Sequence, residues 1–278
     1  MSRLDPAGQG RLVVTPNGHH PSVWAPLVQA ADCWDLAGLR RTLEVAAGRP
    51  TLVALSAHPD DETLGLGRLA SAWARLVGPV TGVLATAGEA CFDGVMSRPA
   101  ELASVRLAEW QAATDRLGFT DRHHVGVPDG ALADSEPELA ERLTAVVQVA
   151  AKSSSVVLAA PWRFDPHPDH RAAGRVATRV GAALEVAVLE YGVWMTYWGD
   201  PATVAGSSQR LVRVSLDAHA DTAFASACRC FVSQLAPYSD EVTAVVPPAM
   251  LALHTAQLLI VPAHLVVNPS AHDRSEPQ

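Results

Sequence analysis

The stretch TLVALSAHPDDE, residues 51–62, joins a continuous apolar run to a cluster of ionisable side chains. The apolar run has the composition of a strand that is buried on both faces of a parallel sheet. Beyond the cluster, apolar residues recur at helical spacing from Leu66 to Val77, so the cluster lies on a connection between a strand and a helix. Because open α/β sheets bind ligands at the carboxyl ends of their strands, this connection is a predicted site.

A second segment, HPDH at residues 167–170, repeats this arrangement. It follows another apolar run, residues 155–160, and precedes an Ala-rich stretch with helical spacing that ends near Leu184. Both polar segments are therefore expected at the same edge of the sheet. If their two strands are neighbours, the segments face each other across a cleft, but the sequence leaves the strand order open.

The two segments contain a set of side chains that suits a divalent metal ion. His58 and Asp61 offer an imidazole and a carboxylate from one turn, and His170 completes a set of two histidines and one aspartate. Such a set is typical of zinc sites that keep one position open for water. In either segment alone, an aspartate that caps the following helix explains the residues equally well. Two such segments at matching strand ends favour a metal site.

The rest of the chain alternates predicted strands and helices, which is typical of a parallel sheet covered by helices. We predict a single α/β, Rossmann-like domain with a mostly parallel sheet, helices on both faces and an irregular C-terminal part. Beyond the two segments above, the predicted strands are residues 79–86, 123–127, 186–194 and 211–216. The further predicted helices are residues 98–117, 135–152, 218–231 and 249–259.

Three regions are expected along the chain: an N-terminal appendage over residues 1–45, the main domain over residues 46–265 and a flexible tail over residues 266–278. The apolar residues of the appendage predict that it docks on the main domain or on a second subunit of a homo-oligomer. The tail is polar and is expected to fray.

Charge and hydropathy argue against some classes of partner. The formal net charge of -8 argues against binding to nucleic acid or to an anionic membrane surface. The sequence has no run of 18 or more apolar residues that would predict a membrane span. Its first twenty residues lack the apolar core of a signal peptide. The simplest prediction is a cytoplasmic protein whose partner is a small molecule.

The order of the motifs resembles that of the PIG-L/LmbE-like deacetylases, which are metal-dependent enzymes that remove acyl groups from amino sugars. The similar elements are AHPDDE at 57–62, Arg106 with Glu109, Leu-Gly at 117–118, Pro-Asp-Gly at 128–130, HPDH at 167–170 and Ser-Gln at 233–234. They span roughly residues 50–235. The combination of motifs is specific for the family, but it does not identify the individual substrate.

The resemblance implies a role for each residue of the two polar segments. It makes His58, Asp61 and His170 the ligands of one zinc ion per chain, with other divalent ions as alternatives. It makes Asp60 the general base and His167 the protonated residue that stabilises the oxyanion, with Asp169 orienting His167. These roles agree with the chemistry of amide hydrolysis, in which a metal ion activates water and polarises the carbonyl group.

Three predicted sugar contacts have ordinary alternatives. Arg106 and Asp129 match family positions that contact the sugar, and Asp165 stands where some relatives have a tyrosine two residues before HPDH. Without the resemblance, Arg106 and Glu109 would be interpreted as a surface ion pair on one helix. Asp165 would be interpreted as a solvated acid of a loop.

We therefore expect a zinc-dependent N-deacetylase of an N-acetylated amino sugar or its conjugate, such as a thiol-cofactor precursor or a secondary metabolite. Two alternatives stay open: a hydrolase of another small amide on the same scaffold, and a non-catalytic sugar-binding relative. The presence of Asp60 together with His167 favours an enzyme, since binding alone does not need both.

Overall fold

The computed structural model describes residues 18–45, 48–92, 99–237, 239 and 242–266, and their strands form one eight-stranded sheet. The two apolar runs that precede the polar segments are buried strands, as predicted. The strands are β1 (Asp32–Asp35), β2 (Thr51–Ser56), β3 (Val80–Leu84), β4 (Asp121–His124), β5 (Val156–Pro161), β6 (Ala187–Tyr191), β7 (Gln209–Ser215) and β8 (Gln257–Pro262).

Helices connect these strands and cover the sheet. They are α1 (Ala25–Ala30), α2 (Leu36–Thr42), α3 (Asp61–Leu76), α4 (Pro99–Leu117), α5 (Glu136–Ala151), α6 (Pro168–Leu184), α7 (Met195–Trp198), α8 (Pro201–Ala205), α9 (Ala218–Cys228), α10 (Val232–Leu235) and α11 (Pro248–Leu251). Single turns of 3-10 helix lie at Pro21–Val23 and Ala263–Leu265.

The strand order in the sheet creates a crevice where the polar segments lie. The order is β1-β7-β8-β6-β5-β2-β3-β4, and its pairs are parallel except the two that involve β8, so the predicted mostly parallel sheet is confirmed. From β2 the chain continues to β3 and β4 on one side, whereas β5 and β6 lie on the other. The order thus reverses between β2 and β5, which opens a crevice at the carboxyl ends of these strands.

Alternate residues of β2 pack against opposite layers of helices. Leu52 and Ala54 belong to a core with α3, α4 and α9, whereas Val53 and Leu55 belong to a second core with α5 and α6. This division follows from the two-residue period of a strand. Helices therefore cover both faces of the sheet, as predicted.

The helix predicted for residues 249–259 is wrong. Only Pro248–Leu251 is helical, and Gln257–Pro262 forms β8, which lies between β7 and β6 and is antiparallel to both. A short apolar run has the same composition in a buried helix and in a buried strand, so periodicity does not separate them. Pairing with strands from elsewhere in the chain decides the structure here.

The described part of the N-terminal region contributes to the sheet, because β1 pairs in parallel with β7 at its edge. The division of the chain at residue 45 stays a prediction. Residues 1–17, Arg98 and all of the predicted tail except Val266 lie outside the described residues. None of the helices that the structure describes is long and apolar enough to cross a membrane.

Candidate active site

Hydrogen bonds from the backbone to Asp61 stabilise the turn after β2. Asp61 begins α3, and its Oδ2 accepts hydrogen bonds from the backbone N–H groups of Ala57 (3.0 Å) and His58 (2.8 Å). Asp60 adopts a φ of 121°, which residues other than glycine rarely adopt. Strained residues persist where their surroundings hold them, and they cluster at functional sites. The turn therefore presents these side chains to the crevice in defined positions.

Three potential metal ligands from the two polar segments lie together in this crevice. His170 Nε2 lies 3.1 Å from Asp61 Oδ1 and 3.2 Å from His58 Nδ1. His58 Nδ1 lies 3.7 Å from Asp61 Oδ2. A tetrahedral ion with bonds of about 2.0–2.2 Å holds its ligand atoms about 3.3–3.6 Å apart. The separations here, which involve both oxygens of Asp61, lie near that range.

Each imidazole of this ligand set has a carboxylate at its second nitrogen. His58 Nε2 lies 3.0 Å from Asp129 Oδ1, and His170 Nδ1 lies 3.1 Å from Asp165 Oδ1. Metal-binding histidines almost always donate their remaining N–H to such a group, which fixes the orientation of the ring and its tautomer. Both histidines thus have the outer contacts that metal ligands have in proteins.

A second group of potential ligands lies at the other edge of His58. Its Nε2, Asp129 and Asp169 offer ligand atoms within 4.8 Å of one another. Both carboxylates already accept backbone hydrogen bonds, Asp129 from Ala90 (2.9 Å) and Asp169 from Gly130 (2.9 Å). The separation of 3.0 Å between Asp129 and His58 is that of an ordinary hydrogen bond. With Nε2 donating to Asp129, a neutral ring leaves Nδ1 unprotonated, which favours the Nδ1 side of His58 for an ion.

The charges in the crevice favour a bound cation. Burial opposes the charged forms of His58 and His170, but the surrounding carboxylates raise the pKa of His58 well above its ordinary value and that of His170 to about 9. Burial also opposes the charge of Asp61, yet the two imidazoles hold its pKa well below the usual range. The carboxylates therefore attract positive charge into a buried place, and a divalent ion would satisfy the same groups.

Asp60 lies beside the ligand set with a carboxyl group suited to proton transfer. Burial raises the pKa of Asp60 to about 7, against the attraction of the Arg106 guanidinium, whose Nη2 lies 3.6 Å from Asp60 Oδ2. A group with a pKa near neutrality both accepts and returns a proton readily at neutral pH. Asp60 also lines a small pocket together with residues of α9 and α10.

His167 contacts both histidines of the ligand set. Its ring stacks on that of His170 with centroids 4.6 Å apart and meets that of His58 edge-on at 4.8 Å. Its Nδ1 accepts the backbone N–H of Asp169 (3.2 Å), so a neutral ring carries its proton on Nε2. Burial, together with the charges of His170 and His58, lowers the pKa of His167 well below its ordinary value. The protonated state of His167 during the reaction stays a prediction.

Three aspartates make contacts that differ from the expected ones. The carboxylate of Asp169, expected to orient His167, contacts His58 and Gly130 instead. Asp129 and Asp165, expected to contact a sugar, direct their oxygens at imidazoles and backbone N–H groups. Asp165 is fully buried. The physical reason is that a buried carboxylate needs donors, and the nearby imidazoles and amides supply them.

Arg106 is buried, so its interpretation as part of a surface ion pair is wrong. Its Nη1 donates to the carbonyl oxygen of Gly88 (2.6 Å) and its Nη2 to that of Pro59 (2.8 Å), and it is only 3% exposed. Its expected partner Glu109 instead accepts hydrogen bonds from the backbone (2.8 Å) and hydroxyl (2.6 Å) groups of Ser233. Arg106 thus fastens the turn that carries Asp60.

Arg106→Ala is expected to lower the free energy of unfolding by about 3–5 kcal/mol, because it leaves the buried Asp60 and two carbonyl oxygens without their cationic donor. Urea denaturation measures the change. Arg142→Ala, which removes an exposed arginine from α5, is the matched control and should change stability by less than about 0.5 kcal/mol. A raised KM with unchanged stability would instead support the contact with a sugar.

Two further buried polar residues have contacts that the sequence does not indicate. Glu62 accepts hydrogen bonds from Ser56 Oγ (2.9 Å) and Thr63 Oγ1 (2.8 Å), and burial raises its pKa to about 7. Gln234 is fully buried and lines the pocket beside Asp60. The motifs include both residues, but nothing in their spacing indicates what they contact.

Comparison with known proteins confirms the family resemblance. Residues 53–180 match the PIG-L family, described as GlcNAc-PI de-N-acetylase. Over 164 residues, the chain is 31% identical to 1D-myo-inositol 2-acetamido-2-deoxy-alpha-D-glucopyranoside deacetylase of Actinosynnema mirum. This match covers 49% of the present chain and 56% of the relative, so the chain spans a little over half the length of that curated enzyme.

Solved structures share the fold at low sequence identity. N,N'-diacetylchitobiose deacetylase from Pyrococcus horikoshii is similar with a TM-score of 0.52 and 20% identity, over 73% of this chain and 78% of that one. The 4-carboxy-2-hydroxymuconate hydratase GalB from Pseudomonas putida is similar with a TM-score of 0.50 and 15% identity, over 74% of this chain and 83% of that one. One fold thus carries a deacetylase and a hydratase, so the reaction must be argued from the site.

Proposed function

We propose, from the match of residues 53–180 to the PIG-L family, that this protein is a metal-dependent N-deacetylase of an amino sugar or an amino-sugar conjugate. The observation that carries the proposal is the ligand set beside Asp60, in which His170 Nε2 lies 3.1 Å from Asp61 Oδ1 and 3.2 Å from His58 Nδ1. We propose zinc as the ion, one per chain, because two imidazoles and one carboxylate suit it; other divalent ions are the alternative.

The substrate class is supported by the relatives. The enzyme of Actinosynnema mirum is named for a 2-acetamido sugar linked to inositol, and that of Pyrococcus horikoshii for diacetylated chitobiose. Both of these substrates carry an acetylated amino group on a sugar. We propose the same class of substrate here, in a thiol-cofactor precursor or a secondary metabolite. A cytoplasmic location and a homo-oligomeric state stay predictions.

Hydrolysis of an amide requires a strong nucleophile, a stabilised oxyanion and a proton for the departing amine. When bound by His58, Asp61 and His170, a divalent ion acidifies water and polarises a carbonyl group. Asp60 accepts a proton from the attacking water and returns it to the amine nitrogen as the C–N bond breaks. Its pKa of about 7 suits both transfers.

His167 completes the proposed site as a hydrogen-bond donor. Its Nδ1 is occupied by the backbone N–H of Asp169, so Nε2–H is the group available to a developing oxyanion. A fixed donor stabilises the charge that appears in the transition state, and it does so whether the imidazole is neutral or protonated. Asp165 and Asp129 hold the two metal-binding imidazoles, which we propose as their role in place of sugar binding.

The strained, buried Asp60 argues against a protein that only binds sugars. Holding a carboxyl group with a pKa of about 7 in an unfavourable backbone conformation costs stability and serves no binding purpose that the contacts show. A hydrolase of another small amide would use the same residues, so substrate tests must separate the two enzymes.

The proposed activity is tested by acetate release from N-acetylglucosamine, N,N'-diacetylchitobiose and N-acetylglucosaminyl-inositol. The chelated protein should release no acetate, and added Zn²⁺ should restore release from at least one of these substrates. A matching panel of acetylated amino acids and simple anilides tests the other amide hydrolase. Metal-restored turnover on that panel alone would contradict the sugar assignment.

A further inference from the structure

A groove lies between the loop after β5 and the turn after α8, with the end of β8 beside it. Its cavity volume of about 510 Å³ is within the range of about 300–1,000 Å³ that is usual for small-molecule sites. The lining residues with polar or aromatic side chains are Arg163, Phe164, Thr203, Ser207, Ser208 and Gln209. The groove therefore has the size of a ligand site and a mostly polar lining.

This groove is separate from the crevice. Its lining contains no proposed metal ligand and neither of the residues assigned to proton transfer and oxyanion binding. In β6, Leu189 and Tyr191 belong to the core with α3, so Glu190 between them points to the other face of the sheet. There it forms an ion pair with Arg163 of the groove. The groove thus lies on a face of the sheet, whereas the crevice lies at the carboxyl ends of β2 and β5.

The groove contains a guanidinium group that is fixed in position and has one edge available. Arg163 Nε and Nη2 donate to the two oxygens of Glu190 (2.9 and 2.6 Å), and Gln209 Nε2 donates to the same carboxylate. This pairing uses one edge of the planar group and leaves the edge formed by Nη1 and Nη2. Because Glu190 is buried and the Arg163 side chain is still 28% exposed, this second edge is the one that a ligand can reach.

The other walls of the groove offer two hydroxyl groups and one aromatic ring. Thr203 and Ser208 are exposed, and within the described part of the chain neither hydroxyl group makes a hydrogen bond. Phe164 is 48% exposed, and its ring meets that of the buried Trp162 edge-on with centroids 5.7 Å apart. This contact holds the Phe164 ring in place while about half of the side chain stays open to a ligand.

We propose that this groove is a second binding site, separate from the crevice, for a neutral sugar unit. Two neighbouring hydroxyl oxygens of a sugar match the two nitrogens on the available edge of Arg163, as the oxygens of a carboxylate do. The hydroxyl groups of Thr203 and Ser208 can each donate and accept. The C–H face of a sugar ring packs on an aromatic ring such as that of Phe164.

Two other classes of ligand match the groove less well. Glu190 neutralises the charge of Arg163, and the whole chain has a formal net charge of -8, so the groove has no excess positive charge to attract an anion. An apolar ligand would remove water from the guanidinium edge and the hydroxyl groups without replacing its hydrogen bonds. The proposal goes beyond the proposed function, since no group of the groove takes part in hydrolysis.

Titration of the full chain with methyl β-D-glucopyranoside tests the site, because this probe is neutral and has no acetamido group to hydrolyse. The backbone amide resonances of Phe164 and Ser208 should shift saturably. The amide of Gly130, which contacts Asp169, reports on the crevice. No saturable shift at Phe164 and Ser208 would overturn the proposal. A shift at Gly130 with the same midpoint as at Phe164 would show one shared site and would overturn it as well.

Variants of the walls test which groups bind the probe. Phe164→Ala should weaken binding of the glucoside by at least about tenfold, since it removes the aromatic ring. The double variant Thr203→Ala, Ser208→Ala should weaken it by about tenfold, since two hydrogen bonds are lost. Val149→Ala, at an exposed valine of α5, is the matched control and should bind like the wild type. Unchanged affinity in Phe164→Ala and in the double variant would exclude this groove as the site.

Inorganic phosphate separates a neutral ligand from an anion. At constant ionic strength, phosphate should neither shift the resonances of Phe164 and Ser208 saturably nor displace the glucoside. Displacement by phosphate would overturn the neutral class of ligand and assign the groove to anions. None of these measurements involves hydrolysis, so a failure of acetate release and a failure of binding in the groove are observed independently of each other.

Discussion

Asp60→Asn is expected to lower kcat for acetate release by about two to four orders of magnitude while the metal stays bound, because Asp60 is assigned the proton transfers and not a metal bond. The asparagine amide has nearly the shape of the carboxyl group but cannot accept the proton of water. Asparagine has nearly the same backbone preferences as aspartate, so the substitution adds little new strain at the φ of 121°. The substitution thus removes the chemistry and keeps the turn.

Steady-state kinetics and elemental analysis of the same preparation separate these two effects. Asp134→Asn, at an exposed aspartate outside the crevice, is the matched control and should keep both its rate and its metal. A near-normal kcat in Asp60→Asn would remove Asp60 from the role of general base. Loss of metal together with rate would instead place Asp60 among the ligands.

His170→Ala should weaken metal binding by more than about 100-fold, because it removes one of three protein ligands, and changes of outer residues alone cost about 10–100-fold. It also leaves Asp61 and Asp165 without the imidazole that lies 3.1 Å from each of them. Asp165→Asn keeps the imidazole and alters only its outer contact, so its expected loss is about 10–100-fold. Competition with a chromogenic chelator gives all three affinities.

The test is the order of the three metal affinities, which should be highest in the wild type, intermediate in Asp165→Asn and lowest in His170→Ala. His123→Ala, at an exposed histidine paired with Asp121, is the control and should bind metal like the wild type. Circular dichroism shows whether each variant is folded, so that unfolding is not mistaken for ligand loss. Full metal occupancy in folded His170→Ala would exclude the proposed ligand set.

The position of the crevice could be predicted from the sequence because its cause is local. Two buried apolar strands, 51–56 and 156–161, each end at a cluster of ionisable residues, and carboxyl ends of parallel strands share an edge. No local pattern in the sequence indicates that β2 and β5 are neighbours. The structure shows that they are. Strand order depends on packing between distant parts of the chain.

The contacts within the crevice were harder to predict for the same reason. Asp129 and Asp165 have the same sequence appearance whether they face a sugar or an imidazole, and only the fold places them beside His58 and His170. β8 cannot be predicted locally, because its six residues carry no signal that separates a strand from a helix.

The most direct test of the metal site is a crystal structure of the zinc-loaded protein with anomalous data on both sides of the zinc absorption edge. A single zinc peak should lie about 2.0–2.2 Å from His58 Nδ1, Asp61 and His170 Nε2. A peak between His58 Nε2, Asp129 and Asp169, or no peak in a fully loaded protein, would contradict the account.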